Sequence, residues 1–267
     1  MFLLVELYGW HTVMTPELLV VAAGLALLYA KAGNIQPVRE GAYVAIPWSR
    51  QALFYAGILC FYFGYGGFLS VLAKESIDFY VLQLCIRYLF MIPLFLAGMP
   101  TWIRNGLVSR LPGGRQLLRN ERHGLYTGLV FFLMLSALLL PPVFNALLKM
   151  VLLRLFVHMV LLASAWTMWE DFFRAGRSRR QRNDRMKMLA LGSILLFPIC
   201  LILAGSGAGA YDHPQNILCI AHPVTGRVIE YDGIRSSSAF GGMLLMAAQQ
   251  LSFVLAIRMS RNRAGNT

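Results

Sequence analysis

The chain has 267 residues, of which 58% are hydrophobic and only 13% charged, with a mean hydropathy of +0.60 and a formal net charge of +12. A soluble domain of this length carries roughly a quarter charged residues. Too few charges remain here to wet a globular surface, so the composition excludes a soluble fold and predicts an all-α, polytopic integral membrane protein.

A helix needs about 20 mostly apolar residues to cross a hydrocarbon core of roughly 30 Å. The first stretch of that kind runs from Thr15 to Ala30 and extends back through Val13, giving a span over 13–30. Thr15, Pro16 and Glu17 supply its cap, a proline at the first helical position and an acidic first turn. The residues before it, with Trp10 and His11, are too short to span and are expected at the interface. No long apolar segment with a small-residue cleavage site precedes them, so the N-terminus reads as mature. The remaining spans are expected at 51–73, 77–98, 124–147, 150–169, 188–210 and 239–257, making seven in a single membrane domain.

Basic residues near span ends stay on the cytoplasmic side. Eighteen of the 24 lysines and arginines fall in the segments after spans one, three and five and in the C-terminal tail, which predicts an outer N-terminus and a cytoplasmic C-terminus. The same partition accounts for the net charge without nucleic acid: the run over 177–187 has no interleaved aromatics and reads as a topology signal facing anionic lipid headgroups. Membrane lipids are therefore the expected surroundings.

Nucleotide-binding, serine-hydrolase, metalloprotease and paired-cysteine motifs are all missing from the sequence. Chemistry would then rest on polar residues within the spans, where a charge costs about 2.5 to 3.5 kcal/mol on insertion scales. On span three, Tyr80, Gln83 and Arg87 share a stripe, and on span five Arg154 and His158 form an i, i+4 pair. Two readings stand: interhelical hydrogen bonding with snorkelling arginines, or a functional cavity. Glycines on spans two and six suit close packing, and Pro93, Pro141, Pro142 and Pro198 each remove a backbone donor. With no Asp or Glu expected inside the spans except the terminal Glu17 and Asp78, acid–base work would fall to His158 alone, so no enzyme is expected.

Cys60, Cys85 and Cys200 read as core residues. The loop over 211–238 differs. It holds Asp212, His213, Cys219 and His222, and thiolate with imidazole suits copper or zinc. It also reads as an outer β-hairpin, 217–221 against 227–231, on which Cys219 and His222 point to opposite faces unless the strand bends.

Tyr80-Val81-Leu82-Gln83, followed by the run from Ile92 and Pro93 through Gly98, Met99 and Pro100 to Trp102, resembles the CtaG family of cytochrome c oxidase assembly factors, the polytopic proteins associated with caa-type oxidases of Gram-positive bacteria. The family pattern is a helix beginning His-Met-x-Gln-His and ending Pro-Pro-Leu-Leu-x-x-Gly-x-Pro-x-Trp, onto which Pro93, Gly98, Pro100 and Trp102 map. Pro142-Val143-Phe144-Asn145, the stretch from His158 to Trp169, and Gly241, Gly242 and Met246 resemble later segments more loosely. Where the family has two histidines in span three this chain has Tyr80 and Leu84, and Ser238-Ala239 stands in place of an Asp-Gln pair. The resemblance implies a multi-pass, non-enzymatic protein of the bacterial plasma membrane. Its partners would be cytochrome c oxidase subunits of a respiratory chain, and copper, at the stage of forming the copper B centre, its possible cargo. The alternative is a membrane carrier for a small molecule or metal ion, lined by Tyr80, Gln83, Arg87, Arg154 and His158.

Overall fold

The computed structural model describes residues 9–33, 46–100, 103–104, 124–174, 179–205, 211, 219–221, 228–230 and 239–265. Its helices, in chain order, are α1 (Trp10–Met14), α2 (Pro16–Gly33), α3 (Trp48–Tyr65), α4 (Gly67–Glu75), α5 (Ile77–Leu84), a π-helical segment (Cys85–Met91), α6 (Ile92–Gly98), α7 (Gly124–Leu138), α8 (Pro141–Lys149), α9 (Val151–Arg174), α10 (Arg179–Gly205) and α11 (Ala239–Gly265). Two short strands, β1 (Cys219–Ala221) and β2 (Val228–Glu230), pair antiparallel with Cys219 opposite Glu230 and Ala221 opposite Val228. Among the described residues six helical segments are long and apolar enough to cross a membrane, and a seventh crossing results if the bent pair Leu125–Leu138 and Pro141–Lys149 is one span.

Several spans are interrupted, each for a local reason. The first apolar segment is helical from Trp10 rather than from Thr15, and Thr15 itself takes a left-handed turn (φ 41°) immediately before Pro16. A residue preceding proline is driven out of the right-handed helix, and proline then restarts the helix at a position that needs no N–H. The second segment breaks at Gly66, with Gly67 at φ +66°, a backbone conformation that glycine adopts without steric cost.

Span four differs from the continuous helix expected over 124–147. Leu140 adopts extended geometry (ψ 131°) ahead of Pro141 and Pro142, and α7 and α8 meet at 77°. Consecutive prolines remove two backbone donors and exclude helical geometry at the preceding residue. The carbonyl of Leu139 left at the bend accepts a hydrogen bond from the Tyr211 hydroxyl at 2.9 Å.

The principal core surrounds α5, the π segment and α6, which pack against α3, α9 and α11, with α7 packed on α9 and α10 on α11. Trp169, Tyr88, Phe131, Phe132, Phe172 and Phe253 are fully buried there. Asp78 joins two helix starts: its Oδ1 accepts the Gly241 N–H at 2.8 Å, and a Cβ at Gly241 would lie 2.7 Å from that oxygen. At Gly242 an added Cβ would sit 2.6 Å from the Cys200 carbonyl oxygen, so α11 approaches α10 at backbone distance. A smaller core of Ala22, Tyr29, Ile46, Phe54 and Ile58 ties α2 to α3.

Candidate functional site

Two tyrosines of the third span meet His158 of the fifth. The Tyr80 hydroxyl lies 3.5 Å from His158 Nε2 and the Tyr88 hydroxyl 2.9 Å from Nδ1. A neutral imidazole has one donor and one acceptor nitrogen, so one tyrosine donates to the ring and the other accepts from it. Tyr80 packs edge-on against Phe144, whose ring in turn meets Tyr211 edge-on. The histidine is thus held between two phenols from one helix.

Tyr88 reaches that position because of the π segment. Pro93, at the second position of α6, lacks an N–H, and its ring crowds the carbonyl one α-turn back, a conflict that a wider turn relieves. In π geometry the acceptor it leaves free is the carbonyl of Tyr88, five residues back. Trp169 of α9 donates its indole N–H to that carbonyl at 2.9 Å, with both residues fully buried. Pro93 therefore frees the group that locks span three to span five.

The expected stripe is divided between neighbours. Arg87 turns towards span two, where its Nε donates to the Gly64 carbonyl and its guanidinium lies 4.7 Å above the centre of the Tyr65 ring. Gln83 is buried, 4% exposed, and its Nε2 donates to no described group. Arg154 is half-buried. Leu84 is buried in apolar surroundings.

Acidic residues inside the spans are more numerous than expected, because α9 continues past Trp169 and the apolar segment extends over Val151–Phe173. Glu170, 5% exposed, pairs with Arg104, Nε to Oε1 at 3.4 Å. Asp171 accepts from the Thr127 hydroxyl at 3.1 Å, and Arg185 donates to Ser260 at 3.0 Å while lying over Phe172. A window of twenty apolar residues closes before Glu170, and the burial that accommodates this carboxylate depends on Arg104, from a segment read as a loop. Tyr88 and Trp169 also escaped notice as polar partners, since each is as common in an apolar core.

The residues that carry the family resemblance shape the fold. At Gly98 an added Cβ would lie 2.5 Å from the Phe54 backbone nitrogen, so no larger residue fits where spans two and three cross. The Gly98 carbonyl accepts from the Tyr29 hydroxyl at 2.9 Å, and Tyr29 stacks on Phe54 at 3.8 Å. Pro100 is buried, and its carbonyl accepts the Arg104 N–H at 3.1 Å. Trp102 lies outside the described residues.

His213 and His222 also lie outside them, and Cys219 is described only as a strand position. Among the described residues no three histidines, cysteines or acids gather as a metal site. Both nitrogens of His158 are engaged by tyrosine hydroxyls, so copper does not fit there without displacing one of them.

The sequence matches the family described as cytochrome c oxidase caa3 assembly factor (Caa3_CtaG) over residues 16–260. The chain belongs to the Caa3_CtaG family. The match runs from α2 into α11 and so takes in the third and fifth spans with the Tyr80–His158–Tyr88 group. No curated protein and no solved structure matches the chain.

Proposed function

We propose that this Caa3_CtaG protein is a non-enzymatic assembly factor of the bacterial plasma membrane that assists maturation of a haem–copper cytochrome c oxidase at the stage of forming its copper B centre. The family match over residues 16–260 carries the reading, and the run of apolar helices agrees with it. On this reading the N-terminus and the 211–238 loop face outwards and the C-terminus is cytoplasmic, in keeping with the distribution of basic residues. Copper contact, where it occurs, falls to His213, Cys219 and His222 of that loop. Docking within the membrane plane does the rest.

The carrier alternative draws less support, because Arg87 is committed to the Gly64 carbonyl and the Tyr65 ring. Deleting the gene is expected to lower spectroscopically active oxidase with unchanged transcript of the oxidase subunits. A copy carrying His213, Cys219 and His222 all as alanine is expected to restore the oxidase protein without its copper B signal. Normal active oxidase in the deletion strain would refute the assembly role, and full rescue by the triple variant would refute the copper step alone.

A further inference from the structure

We propose that the exposed face of α11 around Gln250 is the contact between two copies of this chain, which pair side by side in the membrane through reciprocal hydrogen bonds between their Gln250 amides. Gln250 is the central residue of the apolar segment Phe240–Ser260, and it is exposed. From that depth its side chain is too short to reach the headgroups, as an arginine near a span end does. A polar group facing hydrocarbon is costly, and such residues turn towards a bundle interior or another helix.

Neighbours within the chain meet only part of this amide. Gln250 Nε2 donates to the Ser193 hydroxyl of α10 at 2.8 Å. Ser193 spends its own proton on the Leu189 carbonyl at 3.1 Å, and it also receives the buried Gln249 amide at 3.5 Å. A hydroxyl has one donor and two acceptor sites, so Ser193 has no proton left for Gln250. Among the described residues the Gln250 side-chain carbonyl accepts from none, and its amide still offers that carbonyl and one N–H to a partner.

Those two unspent groups select the occupant. Copies inserted in one orientation hold each residue at the same depth, and a two-fold axis along the membrane normal brings like residues together. An amide with one donor and one acceptor to spare is its own complement, so two Gln250 side chains satisfy each other across that axis. Met243, Ala247, Gln250 and Val254, all exposed, recur with the spacing of a left-handed helix pair. Ala247, one turn from Gln250, leaves room for close backbone approach. Arg258, next on the same face, stands near the end of the span, where a long side chain reaches the headgroups and not its twin.

Full-length protein carrying a donor or an acceptor fluorophore on its C-terminal tail is reconstituted together in phosphatidylcholine vesicles, and energy transfer is followed as lipid dilutes the protein. The expected result is a dimer whose dissociation constant rises about tenfold in Gln250→Leu. It should rise also in Ala247→Leu and stay unchanged in Leu152→Ala, on the exposed surface of span five. Monomers at every dilution would overturn the proposal, as would a dimer equally strong in Gln250→Leu. Monomers whose capture of oxidase subunits is lost in Gln250→Leu would assign the face to another protein's helix and overturn self-pairing. Ala247→Leu removes no hydrogen bond, so it tests the same face even if Gln250→Leu fails to fold.

Discussion

If the Tyr88 carbonyl is free because Pro93 has no N–H, then the contribution of the Trp169 hydrogen bond depends on that proline. In the native chain Trp169→Phe removes the indole donor, leaving a buried carbonyl unmet and a small void. The unmet acceptor costs about 1 to 3 kcal/mol by general measure, though interhelical hydrogen bonds in membranes average only about 0.6 kcal/mol and reach about 1.7. In Pro93→Ala the new backbone N–H can serve the carbonyl, so the same tryptophan substitution then costs only its packing. A double-mutant cycle is therefore expected to show a coupling of about 1 kcal/mol, the second substitution being the milder. Reversible unfolding of the full-length protein in mixed detergent micelles, followed by far-ultraviolet circular dichroism, measures all four corners. Additivity within about 0.3 kcal/mol would refute the link between Pro93 and Trp169.

Gly98→Ala should destabilise the protein by about 1 to 3 kcal/mol, because its Cβ would meet the Phe54 backbone, which cannot yield as a side-chain tip can. Gly205→Ala is the matched control: among the described residues nothing lies within 4 Å of its Cβ, and its unfolding midpoint should not fall. Tyr88→Phe should lower stability by about 1 kcal/mol and more than Tyr80→Phe, since the Tyr88 hydroxyl lies 2.9 Å from the imidazole and that of Tyr80 lies 3.5 Å away. The reverse order in a thermal melt would mean that Tyr80 is the principal anchor of His158.

The apolar segments were legible because hydropathy over twenty residues is a local property, and a bilayer accepts few other solutions. The interruptions were legible only in part. Pro141 and Pro142 announce a lost donor, but neither the 77° bend nor the hydroxyl of Tyr211, far along the chain, that donates to the Leu139 carbonyl there can be read from them. The π segment leaves no mark on composition: Cys85–Met91 reads as ordinary apolar helix, and only Pro93 hints at the extra residue in the turn. In the site, Tyr80 and His158 could be nominated because polar residues in spans are few. Their pairing could not, since spacing along one helix says nothing of which neighbour it faces. Arg87 shows this plainly, sharing a stripe with Tyr80 in sequence and a carbonyl with span two in space.

The breaks themselves form a system. A backbone group released in the hydrocarbon zone costs several kcal/mol unless it is met, and each described break is met by a side chain from elsewhere. At Thr15 the hydroxyl accepts the Gly67 N–H at 3.0 Å, while Tyr62 donates to the Met14 carbonyl at 2.7 Å, so the breaks in spans one and two satisfy each other. Trp169 serves the π segment of span three, and Tyr211 the bend of span four. Apolar packing alone would let helices slide and rotate, because one lipid-like surface fits another nearly as well. A broken turn met by a single donor fixes both depth and rotation, since any shift leaves two groups unmet instead of none. The same constraint holds His158 between Tyr80 and Tyr88: the histidine is positioned by the bond between Trp169 and the Tyr88 backbone as much as by the phenols that touch it.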